Sequence, residues 1–456
     1  MKFPSAPQAI SSLLFASTVN AAITLDLSST DSIKNAAAQA ANGMFSYYTG
    51  WRPGDVPGNL PAPYYWWEAG AMFGSLIDYW YYTGDTTYNA NTTAGLLAQV
   101  GPNRDFMPPN QTKTEGNDDQ AFWGMAAMSA AEVNYPNPPS DQPQWLALAQ
   151  AVFNTQAPRW ADGTCGGGLK WQIFAFNNGY TYKNTISNGC FFNMAARLGR
   201  YTGNQTYFDW AERMFDWTAA IGLMSNDYHF FDGTSDDINC TQINHIQWSY
   251  NAGVYLLGAA AMWNASQTNN MTGNSDVWYQ RTMGILNGTS VFFKNNVMFE
   301  VACEPNGKCN VDQRSFKAYL SRWMAQTTQL APWTTDIIMP LLQTSAQAAA
   351  KSCNPGDGGG IVCGLQWTTG SFDGSTGVGE QMSAMEVFQS NLISKVTGPL
   401  TNGTGGTSVG DPNAGSQSGQ SPLQLEAVTT GDKAGAGILT TIILAGILGG
   451  SWWMVA

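Results

Sequence analysis

The sequence predicts an all-α fold, a six-hairpin (α/α)6 barrel or toroid, and three observations carry that expectation. Apolar residues recur at three- and four-residue spacing along almost all of residues 22–395, as packed helices require. Short turn signals separate the periodic stretches, so neighbouring helices should pair antiparallel. A near-copy also recurs: Tyr81-Tyr82-Thr83-Gly84-Asp85-Thr86-Thr87-Tyr88 and Tyr201-Thr202-Gly203-Asn204-Gln205-Thr206-Tyr207 each close one helix on a glycine and lead into the next. Hairpins repeating at about 50 to 60 residues curl into a ring or a solenoid. The eleven expected helices are close to the twelve of a closed six-hairpin ring; an irregular bundle is the competing arrangement.

The first helix is expected over 32–48, with Thr30 or Asp31 as its cap and Gly50 after its end. The second, 65–82, opens on three aromatic residues and stops before Gly84. The third, 119–134, opens on an acidic pair, and 145–160 follows it. The segments 187–201 and 207–222 flank the second copy of the repeat. Beyond them come 248–263, 277–293, 316–329, 335–351 and 379–392, with Ala, Met and Trp dominating the apolar positions. Residues 396–430 read as a flexible glycosylated stalk, since Gly, Ser, Thr and Asn leave too little apolar surface to fold.

Both ends read as addresses. Residues 1–21 carry Lys2, an apolar run over 10–15 and then Val19-Asn20-Ala21, the pattern of a signal peptide cut before Ala22. Residues 438–456 are apolar, follow small residues over 429–437 and are not followed by a basic segment. That pattern predicts a glycosylphosphatidylinositol (GPI) signal over 431–456, with attachment at Gly431 or Asp432 and residence at the outer face of the plasma membrane or in the cell wall. A tail-anchoring helix is the alternative, for which the segment is short and glycine-containing.

Composition agrees with export. Charged residues make up 11% of the chain, and sequons stand at Asn91, Asn110, Asn204, Asn239, Asn264, Asn270, Asn287 and Asn402. A net charge of −12 argues against nucleic acid and anionic membrane surfaces as partners. Seven cysteines in an exported chain predict disulfides. Cys303 with Cys309 and Cys353 with Cys363 are near enough to close small loops, which leaves Cys165, Cys190 and Cys240 with one odd member. His229 and His245 are the only histidines and no Cys-x-x-Cys pair occurs, so neither a metal site, a cofactor nor a Ser-His-Asp triad is expected. Gly406-Thr407-Ser408-Val409-Gly410 matches a nucleophile elbow in letters only, lacking the strand before it and the helix after it.

The chemistry is expected at Asp118 and Asp119, in Glu115-Gly116-Asn117-Asp118-Asp119-Gln120-Ala121-Phe122-Trp123-Gly124. Cleaving a glycosidic bond takes two carboxyl groups in different protonation states, and a neighbouring ring such as Phe122 or Trp123 packs on a sugar face. Asp118, near a helix N-terminus, should favour its ionised form, and its charge should raise the pKa of Asp119. Consecutive helical side chains diverge, so a separation of about 5 Å requires one Asp to precede regular helix. An acidic N-cap is the structural alternative, and Asp236-Asp237 is a competing pair in a polar loop without an aromatic helix beside it.

With Leu25-Asp26, Asp31-Ser32-Ile33-Lys34, Tyr65-Trp66-Trp67-Glu68-Ala69-Gly70-Ala71, Asn117-Asp118-Asp119, Gly166-Gly167-Gly168-Leu169-Lys170-Trp171-Gln172, Tyr182-Lys183-Asn184 and Asn188-Gly189 together, the chain resembles glycoside hydrolase family 76. The likeness is to its fungal anchored branch of mannan endo-1,6-alpha-mannosidases, over nearly the whole mature chain. The resemblance implies an (α/α)6 barrel, action on alpha-1,6-linked mannose, and a retaining mechanism with Asp118 as nucleophile and Asp119 as general acid/base. It implies a mannan or GPI-core glycan donor in cell-wall biogenesis, with water or a beta-glucan as acceptor. Trp66, Trp67, Trp123, Trp171 and Trp248 are candidate sugar platforms, though tryptophan in a helical toroid is more often core. Gln172, Asn184, Asn188 and Asp232 are candidates for sugar hydroxyls, and Glu68 for either a substrate contact or a buried hydrogen-bond partner. A non-catalytic wall lectin is the rival reading; the paired acids argue against it.

Overall fold

The computed structural model describes residues 22–268, 275–357, 359–416 and 430–455. The expected signal peptide, the sequon at Asn270 and residues 417–429 of the expected stalk lie outside the described residues.

The helices are α1 (Thr30–Phe45), α2 (Trp66–Thr83), α3 (Asn89–Ala98), α4 (Asn117–Glu132), α5 (Trp145–Gln156), α6 (Thr185–Thr202), α7 (Gln205–Ala220), α8 (Ser249–Thr268), α9 (Ser275–Gly288), α10 (Phe316–Leu330), α11 (Thr335–Lys351), α12 (Val378–Gln389) and α13 (Thr430–Val455). The even-numbered helices α2 to α12 form an inner ring, each packed on the next, and α12 on α2 closes it. The odd-numbered helices α1 to α11 pack outside them. The toroid read from the sequence is the fold observed. Almost every residue of α4 and α6 is buried, as suits helices enclosed by neighbours, whereas α7 keeps a polar outer face. The helix missing from the sequence reading is α3, a ten-residue Asn- and Thr-containing segment that buries only Thr92, Gly95 and Leu96. Both copies of the repeat act alike: Gly84 (φ 75°) and Gly203 (φ 71°) end α2 and α6 in the left-handed region that glycine tolerates.

Buried ion pairs tie the inner ring. Arg322 on α10 reaches Asp78 on α2 (2.6 Å) and Glu386 on α12 (2.8 Å), and Arg197 on α6 reaches Glu132 on α4 (2.7 Å). A three-stranded antiparallel sheet, β1 (Tyr182–Asn184), β2 (Gly233–Ser235) and β3 (Ile243–Asn244), joins the loops before α6 and α8. The Cys303–Cys309 and Cys353–Cys363 disulfides form as expected; the third is Cys165–Cys240, which leaves Cys190 as a buried thiol.

The stalk reading is corrected for residues 396–415, which form a strap on the domain. Arg200 donates to the Pro399 carbonyl (2.7 Å), and the Asn402 amide donates to Tyr201 O (3.0 Å). Further along, the Leu146 amide donates to Ser408 Oγ (2.9 Å) and the Asp411 amide to Gln150 Oε1 (2.7 Å). Asn154 Nδ2 donates to the carbonyls of Pro412 (2.9 Å) and Ala414 (2.8 Å). A polar segment needs little apolar burial when its backbone groups pair with a folded surface. The compact unit runs to Gly415, and the second unit contains α13, in which Lys433–Trp452 is long and apolar enough to cross a membrane.

Candidate active site

Five inner helices present their first turns to one groove: Trp67 from α2, Asp118, Asp119 and Phe122 from α4, Asn184 capping α6, Tyr250 from α8 and Phe316 from α10. A cavity of about 290 Å³, completed by Trp171, Tyr182, Asp232, Trp248 and Asp312, meets a second of about 400 Å³ lined by Tyr65, Trp66, Gln111, Glu115 and Gln172. Trp67, Asp119, Trp171 and Asp312 line both, so Asp119 stands where the two join. Asp118 faces only the first.

The start of α4 is built to place the pair. The Asn117 amide donates to Trp171 O (2.8 Å) and its side-chain amide to Lys170 O (2.8 Å), stitching the glycine-rich segment to the helix entrance. Gly168, at φ 84°, passes so near the Trp217 ring that a Cβ would lie 2.2 Å from it. Gly116 caps the helix and donates its amide to Asp119 Oδ2 (2.7 Å), while Asn184 Nδ2 donates to Asp118 Oδ2 (3.0 Å). Helix begins at Asn117, so both acids lie in its first turn, and the expectation that one precedes regular helix is not met. The capping contact instead folds the Asp119 carboxyl back over Gly116, whose Cβ position is 2.4 Å from Asp118 Oδ1. Gly116→Ala is therefore expected to push the Asp118 carboxylate aside, lowering turnover at least tenfold, by roughly 1.4 kcal/mol or more in barrier, with melting little changed. Wild-type kcat in that variant would sink this reading.

Burial, reinforced by the Asp119 charge, pushes Asp118 well above the usual carboxylate range, and burial brings Asp119 up to about 6 against the pull of the Gly116 amide. The expectation of a readily ionised Asp118 is thus overturned: desolvation outweighs the helix terminus and the Asn184 bond. No Lys or Arg lines either cavity. The Asp119 carboxyl binds its proton more tightly folded (about 6) than unfolded (about 4), so its contribution to stability is complete below pH 4 and is lost as pH rises through 6. Asp119→Asn is expected to raise the melting temperature at pH 7.5 relative to wild type, but not at pH 4. A parallel shift at both pH values contradicts this.

The other candidates divide. Trp67, Trp171 and Trp248 line the groove, and Trp66 and Gln172 line its second cavity. Asp232 is held by Tyr182 OH (2.5 Å), Trp248 Nε1 (2.9 Å) and Asn244 Nδ2 (3.1 Å). Three calls are corrected. Trp123 is wholly buried, stacked on Trp66 at 4.9 Å and packed on Gly70, so its ring is core. Asn188 is also buried and spends its amide on the Leu169 backbone (2.7 and 3.0 Å) and Asn184 O (2.8 Å). Glu68 is fully buried, lines neither cavity, and is held well above its ordinary pKa by burial. The rival pair is not in the groove: Asp236 binds Lys170 at 2.5 Å. Sequence reading missed Asp312, which accepts from Trp67 Nε1 (3.1 Å), and Tyr250, which stacks on Phe316 at 3.8 Å. Asp312 had one signal, its place between the small Cys303–Cys309 loop and the aromatic start of α10.

The model of glycosyl hydrolase family 76 matches residues 32–403. The chain belongs to this family. The mannan endo-1,6-alpha-mannosidase DCW1 of Saccharomyces cerevisiae is 49% identical over 97% of both chains, and DFG5 of the same yeast is 47% identical over 95% of this chain and 94% of that one. The crystal structure of Dfg5 from Chaetomium thermophilum in complex with glucosamine is 48% identical and superposes with a TM-score of 0.82, covering 86% of this chain and 98% of that one. The GH76A alpha-1,6-mannanase of Salegentibacter sp. HEL1_6 shares the fold at 17% identity, with a TM-score of 0.62 over 79% of this chain and 98% of that one. The family 76 fold thus persists across that divergence, with the paired acids of this chain lining its groove.

Proposed function

We propose that this family 76 chain is a retaining glycosidase or transglycosidase of alpha-1,6-linked mannose, with Asp118 as nucleophile and Asp119 as general acid/base. The observation that carries it is the place of Asp119 at the junction of the two cavities, next to Asp118 in the first. A general acid must reach the oxygen between two sugar rings, while a nucleophile must reach the anomeric carbon of one. Burial keeps Asp119 protonated toward pH 6, ready for its first task. Asn184 positions Asp118, and Asp118 must be ionised when it attacks, so the proton the empty pair holds is to be taken up by Asp119. Trp67, Trp171 and Trp248 offer ring faces to the sugars, and Asp232 and Asp312 acceptors to their hydroxyls.

The covalent mannosyl intermediate then passes to water or to a sugar hydroxyl, such as that of a beta-glucan, with Asp119 as base. The names of the yeast relatives support mannan as substrate, and the glucosamine complex of the Chaetomium protein supports an amino-sugar-containing donor such as a GPI core glycan. A secreted, GPI-anchored enzyme of the outer cell surface agrees with the apolar helix α13. The test is the product pattern from a labelled alpha-1,6-mannooligosaccharide with and without beta-glucan. Shortened or transferred products with retained anomeric configuration are expected; binding without turnover would move the protein to the lectin reading.

A further inference from the structure

A cleft apart from the groove carries the opposite charge. Its volume is about 270 Å³, and its walls are the hairpin of β4 (Phe293–Lys294) and β5 (Val297–Met298), the last turns of α11, and the turn Trp367–Thr369. Lys294, Asn295, Gln347, Lys351 and Thr368 are among its lining residues, and no Asp or Glu among the described residues lines it. Both lysines are exposed, and among the described residues neither joins an ion pair. Lys351 stands in the last turn of α11, where a cation suits the unpaired carbonyls of the helix end. That accounts for one lysine and not for Lys294, which comes from a hairpin elsewhere in the chain. Two cations in one cleft repel each other, and a shared anion turns that repulsion into attraction.

The cleft lies toward the groove end of the toroid. There α12 begins: the Val378 amide donates to Tyr64 OH (3.1 Å), just before α2, and Glu380 pairs with Arg314 (3.1 Å), just before α10. The segment that joins α11 to α12 therefore runs at that end. Within it, Leu365 joins Cys303 and Cys309 in a small apolar cluster on which Trp248 packs, and Trp248 lines the groove. Trp367 stands in the cleft wall two residues beyond Leu365, at most about 7 Å along the chain. One wall thus separates the groove from the cleft. The groove itself disfavours an anion, because Asp118, Asp119, Asp232 and Asp312 line it without a Lys or Arg. A substrate that carries a phosphate has to hold it elsewhere.

We propose that this cleft is an anion subsite, in which Lys294 and Lys351 share a phosphate group carried by the glycan whose mannose linkage lies in the groove. The proposal rests on the glycosidase reading given above. Charge then orients the substrate: neutral sugar rings follow the aromatic and acidic groove, and the phosphate passes Trp248 to reach the lysines. Asn295, Gln347 and Thr368 stand beside them with side chains able to donate to its oxygens. Unphosphorylated mannan is bound through the groove alone.

The first test needs no turnover. In protein whose lysines carry 13C-methyl groups, mannose 6-phosphate is expected to shift the NMR signals of Lys294 and Lys351, identified by their loss in Lys294→Gln and Lys351→Gln, while mannose shifts neither. No shift at these two, or equal shifts at all exposed lysines, overturns the site. The second test ties the site to the groove. In Asp118→Asn protein, of two alpha-1,6-mannooligosaccharides phosphorylated at one end or the other, one is expected to bind about tenfold tighter than the neutral chain, with the advantage shrinking as salt rises. Lys294→Gln together with Lys351→Gln, in a protein that melts with its parent, is expected to remove that advantage and leave binding of the neutral chain unchanged. Equal affinity for phosphorylated and neutral chains, or an advantage that survives the double change, overturns the subsite. Failure of the glycosidase reading shows separately, as no cleavage of the neutral oligosaccharide by wild type.

Discussion

Asp118→Asn is expected to reduce kcat on an alpha-1,6-mannooligosaccharide by about ten-thousandfold or more while leaving binding near wild type, because the amide fills the same space but cannot form the mannosyl ester. Asp119→Asn is expected to lose roughly a hundred- to ten-thousandfold, the range of a general acid. The two roles separate on a donor whose leaving group needs no proton, such as a nitrophenyl mannoside: it should rescue formation of the covalent intermediate in Asp119→Asn and not in Asp118→Asn. Rescue of Asp118→Asn alone would exchange the assignments. Because Asp119 is held up to about 6, the alkaline limb of the wild-type profile, through which activity falls as pH rises above that value, should be the one lost in Asp119→Asn.

Arg322→Met is the change expected to cost most in stability. It leaves Asp78 and Glu386 facing one another in the core without their shared cation, a defect of about 3–5 kcal/mol. For a domain of this length that is a fall of roughly 5 °C in melting temperature. Asp78, already pushed up to about 7 mainly by burial, protonates once the guanidinium is gone, so the loss should be smaller at pH 5 than at pH 8. A variant melting within a degree of wild type at pH 8 would show the network to be dispensable.

Periodicity revealed the long helices because each needs a wide apolar face toward its neighbours, and the Tyr-Thr-Gly repeat exposed the hairpin unit. It passed over α3, whose ten residues bury too few side chains to print a pattern. The strap escaped for a different reason: its Gly, Ser, Thr and Asn residues are held through backbone groups paired with Gln150, Asn154 and Arg200, and composition does not record such partners. In the site, Asp118 and Asp119 were legible as a motif at a helix entrance. Asp312 was not, because it reaches the groove from a loop remote in sequence whose position is set by tertiary contacts. Trp123, Asn188 and Glu68 were misassigned because residues close to groove-lining ones along a buried inner helix point mostly into the packed wall and not into the opening.

The contact of α12 with α2 has a consequence for how the protein is made. These helices lie roughly 300 residues apart, and closing a loop of that length costs about 5 kcal/mol in chain entropy. The domain cannot complete itself from the N-terminus onward as it leaves the ribosome. Until α12 arrives, the apolar flanks of α2 and α10 stay uncovered, and the nascent chain is prone to aggregate. Premature termination before residue 378 would therefore yield an open, aggregation-prone arc in place of a smaller working enzyme.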